Sequence, residues 1–423
     1  MPEKLLIEPL PKQPVVDGID LPLSKSVLNR YLCMELLQNG TLTQLPAYSL
    51  ADDVVLMHNV LQKLSNHQSD QSGEPVVLDC HNAGTVARFA AVMAASLGIK
   101  AIVKGDPRLH QRPVAELGEM LKSVGFDLEW IGQKGFLPLL INGGRCSVDT
   151  LRVKATESSQ HISACLLVAP FLGRELVVEW SEDIVSWPYV ELTIKMMQQS
   201  GARASLQPKS VVISPGGYPT LKPFWVRDWS SAAFMLQAAT MMPVGSTIPL
   251  RRLTRNQLQG DEIAEELFAP LGVTLQNHPE GLMAIKRSTP DPVVKADFTH
   301  CPDLFNTFAM AVAMLNLSGV LRCPKHLRYK ESNRLGDFLE TLARNGFQVD
   351  LKGDELLIEP RNSPLPNPLL CNSMNDHRIA MSWAIAGIKH PVLLINPDVV
   401  SKSFPGFFSQ LEKVASLTTC NHR

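Results

Sequence analysis

Apolar residues along the 423-residue chain fall into two alternating kinds of helical segment. The first kind is rich in Ala, Met and Leu and almost free of charge after its opening turn. It begins at Ser24, Gly84 (GTVARFAAVMAAS), Ser159 (SQHISACLLVAPF), Trp229, Asp303 and Asp376. A helix that is apolar on every side is predicted to be buried on every side. The second kind has an apolar stripe and a charged face, over about 51–64, 114–124, 190–200, 262–271, 335–345 and 406–414. Gly125, Gly201, Gly272 and Gly346 follow four of these segments, where a left-handed residue ends a helix. Short runs at 75–78, 100–103, 176–179, 211–214, 347–351 and 356–359 predict strands.

The six buried and six exposed helices alternate strictly, with a spacing of about 70 residues. Six units of helix, strand, helix and strands follow, and a chain of this length predicts two domains of roughly 200 residues with three units each. The class is α/β, with exposed helices and sheets wrapped around the buried helices.

A hydrophobic content of 45% and a net charge of −1 describe a globular chain. That balance argues against nucleic acid or an anionic membrane surface as the main partner, though a local basic pocket fits inside it. The eight cysteines are scattered, without a C-x-x-C pair or a His at metal-ligand spacing, and several sit in apolar runs. They read as reduced thiols in a cytoplasmic protein without a metal site. The N-terminal MPEKLL has no apolar leader character, and no uncharged run reaches the roughly 18 residues of a membrane span.

Core packing explains the interiors of the buried helices but not their starts. These are Ser24-Lys25-Ser26, Asn82-Ala83-Gly84-Thr85, Ser158-Ser159-Gln160, Asp228-Trp229-Ser230-Ser231, Pro302-Asp303 and Asn375-Asp376-His377-Arg378. Ser, Asn and Asp there serve as N-caps, each worth about 1 kcal/mol, and for Asp303 capping is one reading. Lys25, Arg30, Arg88 and Arg378 fall within the first two turns. If the helix ends converge, their dipoles and these cations form an anion pocket. Three loops add cations: Gly105–Pro113 with Arg108 and Arg112, Arg328–Arg334, and Ser401–Pro405 with Lys402. Singly, each reads as a salt-bridged surface turn.

In chain order the motifs SKSVLNR, HNAGTVAR, GDPRLHQRP, SSQ, VSWPYVELT, RDWSSAAF, PD, RYKESNRL, NDHR and SKSFP resemble the enolpyruvyl transferases, from about Val16 to Leu411. Within the family the order is similar to the branch whose acceptor is shikimate 3-phosphate. The resemblance implies a two-domain inside-out α/β barrel, each domain made of three βαβαββ units around buried parallel helices. It implies crossings near Leu21 and Arg227, so that residues 1–21 and 228–423 form the first domain and 22–227 the second, with the active site in a cleft that closes. The implied reaction transfers the enolpyruvyl group of phosphoenolpyruvate to the acceptor's 5-hydroxyl and releases phosphate, through a tetrahedral intermediate, on the route to chorismate and the aromatic amino acids. No cofactor or metal is implied, and a monomer is expected.

Residue by residue, the resemblance places Lys25, Ser26 and Arg30 on the shikimate carboxylate and hydroxyls, with Lys25 reaching both substrates. Ser158, Ser159, Ser186 and Lys330 take the 3-phosphate, and Gln160 and Tyr189 line the ring. Asn82, Gly84 and Thr85 form the loop under phosphoenolpyruvate, whose carboxylate and phosphate are clamped by Arg108, Arg334, Arg378 and Lys402, with Gln160 also in reach. Asp303 accepts the hydroxyl proton, and Glu331 or Lys25 serves the methylene carbon. Asp303 is expected to stay ionised and Glu331 to be the more easily protonated.

The chain departs from the family pattern at Leu23, where Gly is usual and added bulk is expected near the substrate, and at Leu28. It departs also at Phe89, where Pro is frequent, and at His326, where some members have Asn. The UDP-N-acetylglucosamine enolpyruvyl transferases are the alternative branch. Their loop Cys has no counterpart in Arg108–Pro113, and Ser26 rather than Asn follows Lys25. A non-catalytic anion-binding paralogue is the second alternative, opposed by the presence of both Asp303 and Glu331.

Overall fold

The computed structural model describes residues 4–46, 50–68, 73–154 and 158–420. Its α-helices are, in chain order, α1 Lys25–Asn39, α2 Asp52–His67, α3 Gly84–Ser96, α4 Ala115–Ser123, α5 Gln160–Val168, α6 Pro188–Gln199, α7 Trp229–Met241, α8 Ala264–Phe268, α9 Phe305–Met314, α10 Arg334–Arg344, α11 His377–Ala386 and α12 Phe407–Leu411. The odd-numbered helices are the expected buried set, and in α7, α9 and α11 every residue is buried. The even-numbered ones keep an exposed face, as in α2, α4 and α10. Gly201 and Gly346 take φ of +85° and +82°, the left-handed conformation that stops a helix. Helix α8 is shorter than its apolar pattern because Pro270 has no N–H for the ladder, and 3₁₀ turns, Gly260–Ile263 and Ala269–Leu271, flank it.

Among the described residues, twenty strands form five four-stranded sheets with one shared topology. In the sheet of Val76–Asp79, Ala101–Lys104, Phe126–Trp130 and Leu139–Gly144, the first two strands are parallel and joined through α3. Helix α4 follows, and the fourth strand then inserts between the second and the third, antiparallel to both. Two sheets are completed from a distance. Lys4–Pro9 lies between Val392–Ile395 and Ala415–Thr419, and Ile19–Asp20 pairs in parallel with Thr247–Arg251. The chain therefore leaves one unit after its first strand and returns more than 200 residues later with the helix, α7, that continues it.

The expected sixth sheet is not seen among the described residues. No sheet of their own accompanies α1 and α2 there, and an isolated bridge pairs Leu23 with Arg227 just before α1. The stretch leading into Arg227 contains Pro215, Gly216, Gly217, Pro219 and Pro223, and proline cannot donate to a ladder.

Two apolar cores result. One gathers buried residues from Leu23 to Tyr218, with Leu258. The other gathers Leu5–Leu21 and Trp229–Ala415, including edge-to-face contacts of Phe305 with Phe298 and Phe338. Each fully buried Phe contributes about 1.5–3 kcal/mol. The two passages between them run side by side, with Ser24 N donating to Val226 O at 2.9 Å and Asp228 N to Pro22 O at 3.0 Å. Leu23 lies in this passage with its side chain in the first core. The expected intrusion toward a substrate does not occur, since Leu23 is absent from the cavity wall described below. Leu28 and Phe89 are likewise core residues.

Candidate active site

Four buried helices point their N-termini at one cavity. Lys25 and Ser26 come from α1, Gly84 and Thr85 from α3, Ser159 and Gln160 from the start of α5, and His377 and Arg378 from α11. Ser24 caps α1 through Val27 N, and Asp376 caps α11 through Arg378 N at 2.9 Å. The unpaired N–H groups of four helix ends make the walls attractive to anions. Arg30, Ser158, Ser186, Tyr189, Asp303, Lys330 and Glu331 complete the expected wall, and both cores contribute to it. Asn82, Arg108 and Lys402 line an adjoining outer groove, which shares Asp53 and Glu331 with the cavity.

Arg334 lies beneath both spaces, 1% exposed. Its Nε donates to Asp376 Oδ2 at 2.8 Å, its Nη1 to Asp303 Oδ1 at 3.0 Å, and its Nη2 to Glu331. Arg378 Nη2 donates to Asp303 Oδ2 at 2.7 Å. Asp303 is thus held between two guanidiniums and does not cap a helix, since it sits inside the 3₁₀ turn Pro302–Leu304 that precedes α9. Burial alone would raise the Asp303 carboxyl, but Arg378, Lys330 and Arg334 together hold it well below the ordinary carboxylate range. Glu331 behaves alike: burial raises it, and Arg334 and Arg112 bring it well below. The expectation that Glu331 is easily protonated therefore fails in this arrangement, because two guanidiniums face it. Burial, with Arg334 nearby, lowers Lys330 to about 8.

Asp53, at the start of α2, accepts from Lys25 Nζ and from Lys402 Nζ, each at 2.9 Å. Burial would raise its carboxyl, and the two ammoniums bring it below its usual value. Sequence reading passed over this residue because an acid in the first turn of an amphipathic helix reads as solvated. Arg112 was passed over as well. It is buried, lines the cavity and has its Nε without a hydrogen-bond partner among the described residues. Arg108, expected in the clamp, instead donates from Nη2 to Arg328 O and Lys330 O at 3.0 and 3.2 Å across the outer groove. The 3₁₀ turn Leu109–Gln111 lies between the two arginines, and only Arg112 reaches the cavity wall.

Other side chains support the wall. Gln160 Nε2 donates to Thr85 Oγ1 at 3.0 Å. Arg88 does not reach the cavity and instead donates to His161 Nε2 at 3.0 Å and to Pro113 O at 3.0 Å. Arg30 spends its guanidinium on Thr193 Oγ1, Ser26 O, Ser163 Oγ and Tyr189 O, and burial lowers it to about 10. His326 and His377 line the cavity, and burial is the largest cause holding both imidazoles neutral. His326 Nε2 is 3.4 Å from Ser186 Oγ.

A cavity walled by helix N-termini and cations from two halves of one chain, with carboxylates set among them, defines an α/β transferase that brings two small anions together. The chain matches the family model for EPSP synthase (3-phosphoshikimate 1-carboxyvinyltransferase) over residues 10–411, and it belongs to that family. It is 34% identical over 405 residues to a 3-phosphoshikimate 1-carboxyvinyltransferase of Bacteroides fragilis (strain YCH46), covering 93% of this chain and 94% of that protein. A Haemophilus ducreyi protein of the same name is 28% identical over 97% of this chain and 98% of its own length. The fold is similar to that of an EPSP synthase from Acinetobacter baumannii, with a TM-score of 0.71 over 98% and 99% of the two chains at 20% identity. The chain is a transferase of the shikimate pathway that moves the enolpyruvyl group from phosphoenolpyruvate to shikimate 3-phosphate. Neither the nucleotide-sugar branch nor a non-catalytic paralogue is favoured by these matches.

Proposed function

We propose that the transfer takes place in this cavity, between a domain of residues 1–21 with 228–423 and a domain of residues 22–227, which close over both substrates. Shikimate 3-phosphate lies with its carboxylate and hydroxyls against Lys25, Ser26 and Arg30, its phosphate on Ser158, Ser159, Ser186 and Lys330, and its ring along Gln160 and Tyr189. Phosphoenolpyruvate lies over Asn82, Gly84 and Thr85, near Gln160 and Lys25, and is clamped by Arg334, Arg378 and Lys402, with Arg112 rather than Arg108 as the inward guanidinium of the loop. Charge-assisted bonds of this kind contribute about 1.5–3 kcal/mol each.

Substrate anions compete with Asp53, Asp303 and Glu331 for the same cations. As phosphoenolpyruvate draws guanidinium charge to itself, the Asp303 and Glu331 carboxyls rise toward the range where they exchange protons effectively. Asp303 then accepts the 5-hydroxyl proton while the oxygen attacks C2, and Glu331 or Lys25 delivers a proton to the methylene carbon. The tetrahedral adduct collapses with loss of phosphate. Closure of the two halves holds the reacting atoms together and limits water.

The observation that carries this reading is Asp303, bonded to both Arg334 and Arg378 on the wall of a cavity where four helix ends meet. Phosphate release with shikimate 3-phosphate and phosphoenolpyruvate tests it. Asp303→Asn and Glu331→Gln should each lower turnover by roughly 10²–10⁴-fold, and near-normal turnover in both overturns the assignment. The wild-type chain should release no phosphate with UDP-N-acetylglucosamine as acceptor.

We place the chain in the cytoplasm as a monomer. Its eight free cysteines suit a reducing compartment, no described helix is long and apolar enough to cross a membrane, and one chain supplies both sides of the cavity.

A further inference from the structure

Asp303 has a carboxylate neighbour that does not line the cavity. Asp261, 2% exposed, sits in the 3₁₀ turn Gly260–Ile263. The Tyr189 hydroxyl stands between the two acids, 3.3 and 3.4 Å from Asp261 Oδ1 and Oδ2 and 3.4 Å from Asp303 Oδ2. On its other side Asp261 Oδ2 accepts a bond from the Ser230 hydroxyl at the start of α7. Oδ2 is thus already engaged, and Oδ1 is the nearer oxygen to the phenol. The other groups facing Asp261 are Arg378 from α11, Asp228 at the cap of α7, and the Cys301 thiol beside Asp303.

The two acids are suited to different tasks. Asp303 has two guanidiniums bonded to it and is a weak store for a proton. Asp261 has no ion pair among the described residues. Burial, and then the charge of Asp303, raise its carboxyl to about 7, and an acid with that strength both takes and returns a proton near neutral pH.

We propose that Asp261 is a positioning residue for the proton that Asp303 removes from the substrate, receiving it through the Tyr189 hydroxyl and holding it while the adduct forms. The inference rests on the reading of Asp303 as the base. The substrate O–H bond breaks as an Asp303 Oδ2–H bond forms. That proton passes to the Tyr189 oxygen while the phenolic proton passes to Asp261 Oδ1. Asp303 returns to a carboxylate, Tyr189 remains a phenol, and Asp261 becomes a carboxylic acid. The same two transfers in reverse return the proton to Asp303, which gives it up to the departing phosphate and is left a carboxylate for the next cycle. The oxygen separations are long for O–H···O bonds, and the transfers need them to shorten as the cleft tightens on its substrates.

The test is the pH dependence of kcat from pH 5 to 9, with both substrates, for the wild type, Asp261→Asn, Tyr189→Phe and the double variant. The wild type should show an acid limb near pH 7, because Asp261 must be ionised to receive the proton. Asp261→Asn should lose that limb and fall roughly 10–100-fold in kcat, less than the loss of the base itself, with KM changed by less than about threefold. The double variant should be no slower than the slower single one, since both substitutions cut one path. An unchanged acid limb in Asp261→Asn, or multiplicative losses in the double variant, overturns the proposal. If Asp261→Asn does not fold, Tyr189→Phe alone must lose the limb, and its retention overturns the proposal equally. Asp303→Asn separates the two readings: near-normal turnover there sinks the base, whereas a dead Asp303→Asn beside an unaltered Asp261→Asn sinks only the relay.

Discussion

Lys402 and Asp53 lie 349 residues apart in sequence and 2.9 Å apart in space. Lys25 meets the other oxygen of the same carboxylate at 2.9 Å, so one acid on α2 ties together the first buried helix and the last loop. Ser401 reinforces the junction with a hydroxyl bond to Asp52 Oδ2 at 2.5 Å. The two ammoniums therefore have an internal partner that holds them in place.

Asp53→Asn should leave two largely buried ammoniums without their carboxylate. A loss of about 3 kcal/mol is expected for breaking such a pair from one side, read as a lower denaturant midpoint at unchanged slope. Asp53→Asn combined with Lys402→Met should recover part of it. A midpoint within experimental error of the wild type in the single variant would show that water, not Asp53, balances these charges.

Arg112 and Arg108 occupy one loop but should respond differently. Arg112→Lys replaces a guanidinium on the cavity wall with a point charge of different reach, and KM for phosphoenolpyruvate should rise at least tenfold, about 1.4 kcal/mol. Arg108→Lys, which loosens contacts to Arg328 O, Lys330 O and Gln111 Oε1, should change it by less than about threefold. Steady-state titration of phosphoenolpyruvate at saturating acceptor measures both, and the reverse ranking would return Arg108 to the clamp.

Gly84 leaves no room for a side chain on the wall. A Cβ there would stand 2.6 Å from Arg88 Nη1 and 2.7 Å from Arg112 Cζ, so both buried guanidiniums would have to shift. Gly84→Ala is expected to raise KM for phosphoenolpyruvate by tenfold or more, on the scale of one displaced charge-assisted bond, while KM for shikimate 3-phosphate moves less. An equal rise for both substrates would mean that the whole cavity, not one subsite, had shifted.

Two buried groups should impose opposite pH dependences on stability. Burial lowers His161 from 6.5 to about 4, so the unfolded chain takes up a proton that the folded chain refuses. Its contribution is full above pH 6.5 and is lost as pH falls toward 4. Asp261 is raised from 3.8 to about 7, so its contribution is full below 3.8 and is lost as pH rises through 7. Thermal unfolding from pH 4 to 8 should show Asp261→Asn gaining stability relative to the wild type as pH rises. A difference in Tm that stays flat with pH would contradict the assigned direction.

Much of this architecture was legible in the chain. The alternation of apolar and amphipathic helices, the stops at Gly201 and Gly346, and the polar starts of the buried helices were readable from neighbouring residues, whereas Ser186, Tyr189, Lys330 and Glu331 were expected in the cavity only from the family resemblance. The sixth sheet was not, because the repeat of helices suggested a sheet for every unit, and none accompanies α1 and α2 among the described residues. Leu23 looked intrusive by position alone, and its side chain turned out to pack into the core.

By itself the sequence determined which helices are buried, that Ser24, Asp228 and Asp376 cap α1, α7 and α11, and which cations stand at the helix ends, because periodicity and capping depend on residues a few places apart. The starts of α3, α5 and α9, where caps were also expected, have no side-chain cap among the described residues. Only the tertiary structure decided that Arg112 and not Arg108 faces the cavity, that Asp53 joins Lys25 to Lys402, and that Glu331 is held low by Arg334 and Arg112. The physical reason is that an ion pair, and the pKa it shifts, depends on distances of a few ångströms between residues hundreds of places apart, and no local pattern of residue types records those distances.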